Sequence, residues 1–136
     1  MIVEINNRTK AAINLALIKR VVKLFCQEYK IKHQEISLAI VGDQEIKKLN
    51  QAYRRINQAT DILTFAGEAD FLGEIIIDYA QIKRQAKQFN NTALEELIFV
   101  LVHGLLHLIG YDDQTEKGRK EMERLASEFI NLKLKY

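Results

Sequence analysis

The stretch from Thr92 to Asp113 reads TALEELIFVLVHGLLHLIGYDD. Thr92 with Glu95 has the spacing of a capping box, in which the two side chains take up backbone N–H groups that the first helical turn leaves unpaired. The residues that follow are apolar nearly all round, to about Ile109. A helix without a polar face is stable only inside a core, so the segment 92–109 is expected to be the most buried helix. Gly110 stands where a helix commonly ends on a left-handed residue.

Working outward, the elements alternate. Ile2 to Ile5 reads as a short strand, and residues 9–30 as a long helix with Ile13, Leu17, Ile18, Val21, Leu24 and Phe25 at helical spacing. EISLAIV, Glu35 to Val41, alternates like a strand that Gly42 closes. Asp43 is placed to cap a helix carrying Ile46, Leu49 and Tyr53 on one face. Residues 54–60 are polar and irregular; DILTF, Asp61 to Phe65, and the run Gly73 to Ile77 then read as two strands close enough to pair. Asp78 with Gln81 resembles a capping box for a helix bearing Ile82, Ala86 and Phe89, which Asn90 and Asn91 end. A last helix, about 115–131, turns Met122, Leu125 and Phe129 to the core. The order β α β α β β α α α predicts an α+β fold: one domain, residues 1–136, with a mixed sheet of about four strands covered by helices.

Composition bounds the chemistry. The chain has 136 residues, of which 48% are hydrophobic and 28% charged, the balance of an ordinary globular domain. One cysteine excludes an internal disulfide and any zinc finger built on cysteine pairs, and it fits a reducing, cytoplasmic compartment. Cys26 lies near the apolar face of the first helix and reads as core filler. The opening MIVEINNRTK lacks the basic and apolar regions of a secretory signal. The longest apolar run, Leu97 to Ile109, is 13 residues with two histidines and a glycine in it, short of the roughly 18 that a membrane span suggests. No membrane partner is therefore expected. Net charge is only +2, but residues 66–113 carry eight Asp/Glu against three Lys/Arg while both ends are basic. That pattern suits a cation in the middle with RNA along the ends, and equally an ordinary solvated surface.

His103 and His107 lie four residues apart, so they share a helix face with Cβ atoms about 5–6 Å apart. Two imidazoles so placed reach one cation at the roughly 2.0–2.1 Å that zinc requires, and a third ligand is needed. The helix stops at Gly110, so GYDD can turn back and offer Asp112 or Asp113. Two buried histidines bonded to protein groups are the plainer alternative. Asp113 also has capping spacing to Glu116, and spacing alone leaves ligand and cap both open. His33, at a helix–strand junction, has no partner pattern and reads as a surface residue. The residue after His103 is Gly104, not the glutamate that acts as base in H-E-x-x-H metalloproteases, so that route to peptide hydrolysis lacks its base.

HGLLHLIGYDD, His103 to Asp113, resembles the H-G-x-L-H-L-x-G-Y-D-H signature of the YbeY family of bacterial rRNA maturation factors. LNQAYRRINQATDILTF, Leu49 to Phe65, resembles the family's L-N-x-x-Y-R segment and its T-D-V-L-S-F strand, and LGEIIID, Leu72 to Asp78, resembles its L-G-D-I-x-I strand. The resemblance implies a mixed sheet with helices and one zinc-type divalent ion at the end of the buried central helix. It also implies a metal-dependent endoribonuclease that cuts single-stranded rRNA at the 3′ end of the small-subunit rRNA and serves ribosome quality control. The implied partners are the ribosome or small subunit and its assembly factors. By position, His103 and His107 match the first two metal ligands and Arg54 the arginine important for activity.

Two departures stand out. The third ligand histidine falls on Asp113, a shorter donor whose negative charge weakens the Lewis acidity of a bound metal and favours harder cations. The prolines that usually flank the T-D-V-L-S-F strand are Ala59 and Ala66 here. Arg55, Lys83, Arg84 and Lys87 are candidate contacts for RNA phosphates, with a solvated helix face as the alternative. Tyr111 is placed to stack on a base or to pack beside Gly110, and Thr60 and Asp61 to orient a ligand or to start a strand. Two other functions fit the same residues: a ribosome-assembly binding factor whose metal is structural, and a metal-dependent hydrolase of another substrate.

Overall fold

A computed structural model describes residues 1–134. The elements, in chain order, are β1 (Ile2–Asn7), α1 (Leu15–Glu28), β2 (Glu35–Val41), α2 (Asp43–Arg54), β3 (Ile62–Ala66), β4 (Phe71–Asp78), α3 (Tyr79–Gln88), α4 (Ala93–Leu108) and α5 (Glu116–Lys133). One four-stranded sheet has the order β1-β2-β4-β3. β1 and β4 run parallel to β2, and β3 pairs antiparallel with β4 at the far edge. The expected α+β fold with a mixed sheet is the one observed.

Both faces of the sheet are covered, and the strands show it at period two. On one face Ile36, Leu38, Ile40, Leu72, Ile75 and Ile77 join the main core with α1, α4 and α5. On the other, Ala39, Val41, Leu63 and Ile76 meet Ile46 of α2. The continuous apolar run of β4 follows from this: it lies inside the sheet, between β2 and β3, with helices on either side. α4 is the central helix, with nine of its 16 residues buried.

Several element ends differ from the sequence reading, each for a local reason. The first helix begins at Leu15, not at residue 9. The Asn7 carboxamide accepts from Thr9 N–H and donates to the Ala11 carbonyl, both at 3.0 Å, which winds residues 7–11 into a turn. Asn14 then caps the helix by accepting from Leu17 N–H. Asp43 is the first helical residue of α2 rather than its cap; Gly42 holds the cap position. Asp78 does cap α3, accepting from Ala80 and Gln81, but its own N–H donates to the Asp61 carbonyl, so no reciprocal box forms. Phe89 is 63% exposed instead of facing the core.

Both ends of α4 match the pattern in the sequence. Thr92 and Glu95 form the full capping box. At the other end Tyr111 N–H donates to the Leu106 carbonyl and Gly110 N–H to that of His107, with Gly110 at φ +106°. This is the Schellman arrangement, in which a left-handed residue lets the chain reverse. It turns the loop 111–115 back past the last turns of α4.

Candidate metal centre and its cleft

The reversal at Gly110 brings Asp113 over the face of α4 that carries the histidines. Asp113 Oδ2 lies 3.3 Å from both His103 Nε2 and His107 Nε2, and the rings of the two histidines are 5.0 Å apart, edge to face. The three donor atoms fall within 4.8 Å of one another. Donors at the zinc distance of about 2.05 Å in a tetrahedron stand about 3.3–3.4 Å apart along each edge. The two measured aspartate edges match that spacing, and two imidazoles with one carboxylate are a donor set zinc accepts. The residues present therefore fit a divalent ion. Burial pushes the Asp113 carboxyl up, but the His103 hydrogen bond and the charge of the two histidines outweigh it and hold it below the usual carboxylate range.

The competing role for Asp113 falls elsewhere. The N-cap of α5 is Thr115, whose hydroxyl accepts from Gly118 N–H at 3.0 Å. Asp112 accepts from Gln114 N–H at 2.6 Å and shapes the turn that puts Thr115 there. Asp112 is thus engaged in the turn, and Asp113 is left to face the histidines.

Gly104 has a packing role. A Cβ there would stand 2.5 Å from Ile62 Cδ1 and 3.4 Å from Thr64 Cγ2, so its absence lets β3 lie close against α4 beside His103. The close approach forms one wall of a cleft of about 740 Å³. Its lining comes from β3, from one side of α3 and from the face of α4 bearing Glu96, Phe99, His103 and His107. His107 is eleven helical steps beyond Glu96, so this face runs about 16 Å. Tyr53 and Arg54, at the end of α2, stand at the rim. Tyr53 is edge to face with Phe65 at 5.2 Å, although 67% of it is exposed.

The sequence-derived site residues divide sharply. His103, His107, Asp113 and Arg54 share the cleft, as do Thr60 and Asp61. Arg55, Lys83, Arg84 and Lys87 do not line it. Arg84 is tied to Asp43 by two hydrogen bonds of 2.7 and 3.0 Å, and Lys83 lies over the Tyr79 ring, 5.5 Å from its centre. Arg55 holds the left-handed position that ends α2, and Lys87 is an exposed residue of the last turn of α3. Tyr111 packs against the core, Cys26 is buried with its thiol pushed up to about 11 by burial, and His33 is exposed.

Three residues of the site carry no obvious signal in the sequence. Asn50, 2% exposed, donates from Nδ2 to the Gln58 carbonyl at 2.9 Å and so pins the loop that follows Arg54. Glu96, 5% exposed, and Gln85 meet in the cleft, where the Gln85 amide donates to Glu96 Oε2 at 3.0 Å and to Asp61 Oδ2 at 3.3 Å. A glutamate in a first helical turn ordinarily reads as a solvated charge near the positive end of the helix, which is why its burial was not foreseeable.

Comparison with known proteins places this geometry. The profile of the family described as "Endoribonuclease YbeY" matches residues 4–133. A curated protein of that name from Heliobacterium modesticaldum is 38% identical, over 75% of this chain and 71% of its own. Another, from Thermodesulfovibrio yellowstonii, is 44% identical over 72% of this chain and 67% of its own. A solution structure of a Thermotoga maritima protein, 28% identical, superposes with a TM-score of 0.65 over 96% of this chain and 90% of that one. A match that runs from β1 to the end of α5 takes in the helix of the two histidines, the loop of Asp113 and the helix end of Arg54 together, and the chain belongs to the Endoribonuclease YbeY family.

Proposed function

We propose that this protein is a metal-dependent endoribonuclease that cuts single-stranded RNA, acting in the cytoplasm on the 3′ end of small-subunit rRNA and in ribosome quality control. The small ribosomal subunit and its assembly factors are the partners this reading implies. The observation that carries it is the convergence of His103, His107 and Asp113 on one point inside a cleft that also presents Arg54. A divalent ion held there, zinc by the donor set, would supply Lewis acidity and a water acidic enough to yield hydroxide near neutral pH.

The chain's own residues do the rest. His103 and His107 are held in one orientation by a buried helix, and the Gly110 reversal presents Asp113 without straining the helix. Arg54 has no carboxylate within ion-pair reach among the described residues. Its planar, permanently charged fork is therefore free to take two phosphate oxygens and stabilise charge developing on them. Asn50 holds the loop behind it. The aromatic rings of Tyr53 and Phe89 at the cleft edge offer stacking faces to unpaired bases, which a duplex keeps hidden. No single helix among the described residues is long and apolar enough to cross a membrane.

The test is bound metal and cleavage of single- and double-stranded RNA in the wild type, Arg54→Ala and Asp113→Ala. Arg54→Ala should keep its metal and lose about 10²–10³ in kcat/KM, the usual scale for one transition-state donor. Asp113→Ala should lose metal. Cleavage that persists in the fully metal-free protein would sink the proposal.

A further inference from the structure

The cleft holds three carboxylates, Asp61, Glu96 and Asp113, and only Asp113 faces the histidines. Glu96 is 5% exposed, and a carboxylate that deep is costly unless a cation or several donors meet it. No Lys or Arg does so among the described residues. One neutral amide, Gln85 Nε2, serves both Glu96 Oε2 and Asp61 Oδ2. The Gln85 oxygen is in turn occupied by Gln81 Nε2 at 3.1 Å. Glu96 Oε1 and Asp61 Oδ1 accept nothing from the described residues. The cleft wall is therefore acceptor-only at this point, and it is braced there.

We propose that Glu96 and Asp61, tied together by Gln85, read the Watson–Crick edge of one unpaired guanine in the RNA bound in the cleft. The inference rests on the reading that the cleft takes RNA. Two neighbouring acceptors ask for two neighbouring donors. Guanine alone among the four bases offers them, at N1–H and N2–H; adenine and cytosine pair each amino group with a ring acceptor, and uracil has one N–H between two carbonyls. Glu96 lies seven residues before His103 on the same helix face, about 10 Å away along α4. That is comparable to the reach from a phosphate to the far edge of its purine. Phe89, exposed and lining the cleft, supplies a face for the base to stack on.

Binding of non-cleavable 2′-O-methyl RNA pentamers, uridine throughout except for a central guanine, inosine or adenine, tests this without turnover. The guanine pentamer should bind roughly 5- to 150-fold tighter than the adenine one, the range for a bidentate base contact. Inosine, which lacks the N2 amino group, should fall between. Glu96→Gln keeps size and the Gln85 contact but offers a donor in place of an acceptor, so it should abolish the guanine preference. Asp61→Asn should reduce it. A purely structural role would weaken all three pentamers alike. Equal binding of the three, with RNA cleavage intact, overturns the subsite and leaves the nuclease reading standing. No binding to any RNA overturns both. A second equivalent of metal that Glu96→Gln removes would also overturn it, because the two acids would then be a cation site.

Discussion

Asp113 and Thr115 stand two residues apart and do different work. The spacing Asp113–Glu116 in the sequence looks like a cap, yet the turn closed by Asp112 shifts the helix start so that Thr115 caps it. Two-residue shifts of this kind depend on loop geometry and not on residue type, so the sequence left Asp113 open between two roles. The separation is measurable. In metal-free protein, Thr115→Ala should cost about 1 kcal/mol in urea unfolding, the usual worth of a threonine cap, while Asp113→Ala should stay within about 0.5 kcal/mol, as exposed substitutions do. With metal the order reverses. Asp113→Ala should weaken zinc binding by at least the roughly 10–100-fold seen when a mere outer partner of a metal ligand is lost, and Thr115→Ala should leave it unchanged. Competition titration with a chromophoric chelator reads the difference.

The glycines show what elements require of each other. At Gly104 an added Cβ meets the free end of the Ile62 side chain, which can rotate away, and a helix regains about 1 kcal/mol on replacing glycine by alanine. Gly104→Ala should therefore change stability by less than about 1 kcal/mol. It should still slow cleavage, because Ile62 then turns into the cleft. Gly73 differs. Its φ is +152°, and a Cβ there would stand 2.4 Å from the Phe65 carbonyl oxygen on the facing strand. Backbone cannot swing aside, so Gly73→Ala should destabilise by about 1–3 kcal/mol, the cost of a strained backbone residue. Equal urea midpoints for the two variants would refute this account of the β3–β4 pair. The elements themselves were legible because their burial is periodic. The run Gly73 to Ile77 reads as a strand, and β4 lies there; the capping box and Gly110 bracket α4 within a residue. The start of α1 was not, because Asn7 and Thr9 bond to their own backbone in a turn that apolar periodicity does not register. The cleft walls were illegible for a related reason. Glu96 and Gln85 come from two helices and Asp61 from the loop before β3, and only the closed fold makes them neighbours.

At the scale of the whole molecule, one carboxyl pair joins α2, β4 and α3 opposite the end that carries Arg54. Asp78 is fully buried, and no donor from the described residues reaches its Oδ2. Burial first, and then the neighbouring Asp43 carboxylate, push Asp78 up to about 7. Hydrogen bonds from Arg84, and then the one shared with Asp78, hold Asp43 down to about 2. In mildly acid solution, below about 7, the pair thus keeps one proton, held by Asp78 and shared with Asp43. The sign of the pH dependence follows from proton counts. Between the unfolded value of 3.8 and about 7, the folded chain holds a proton at Asp78 that the unfolded chain has released. Its contribution to stability is complete below 3.8 and is lost as pH rises toward 7. Asp43 acts in the opposite sense: its contribution is present above 3.8 and is lost as pH falls toward 2. The pair therefore favours the fold most in mildly acid solution. Asp78→Asn tests this cleanly. Asparagine caps helices as well as aspartate does, so it can still accept from Ala80 and Gln81, and its amide can donate to Asp43 at every pH. The decline in thermal midpoint between pH 4 and pH 7 should flatten in the variant, which should then exceed the wild type above pH 7. A variant that declines as steeply as the wild type would place the responsible carboxyl elsewhere.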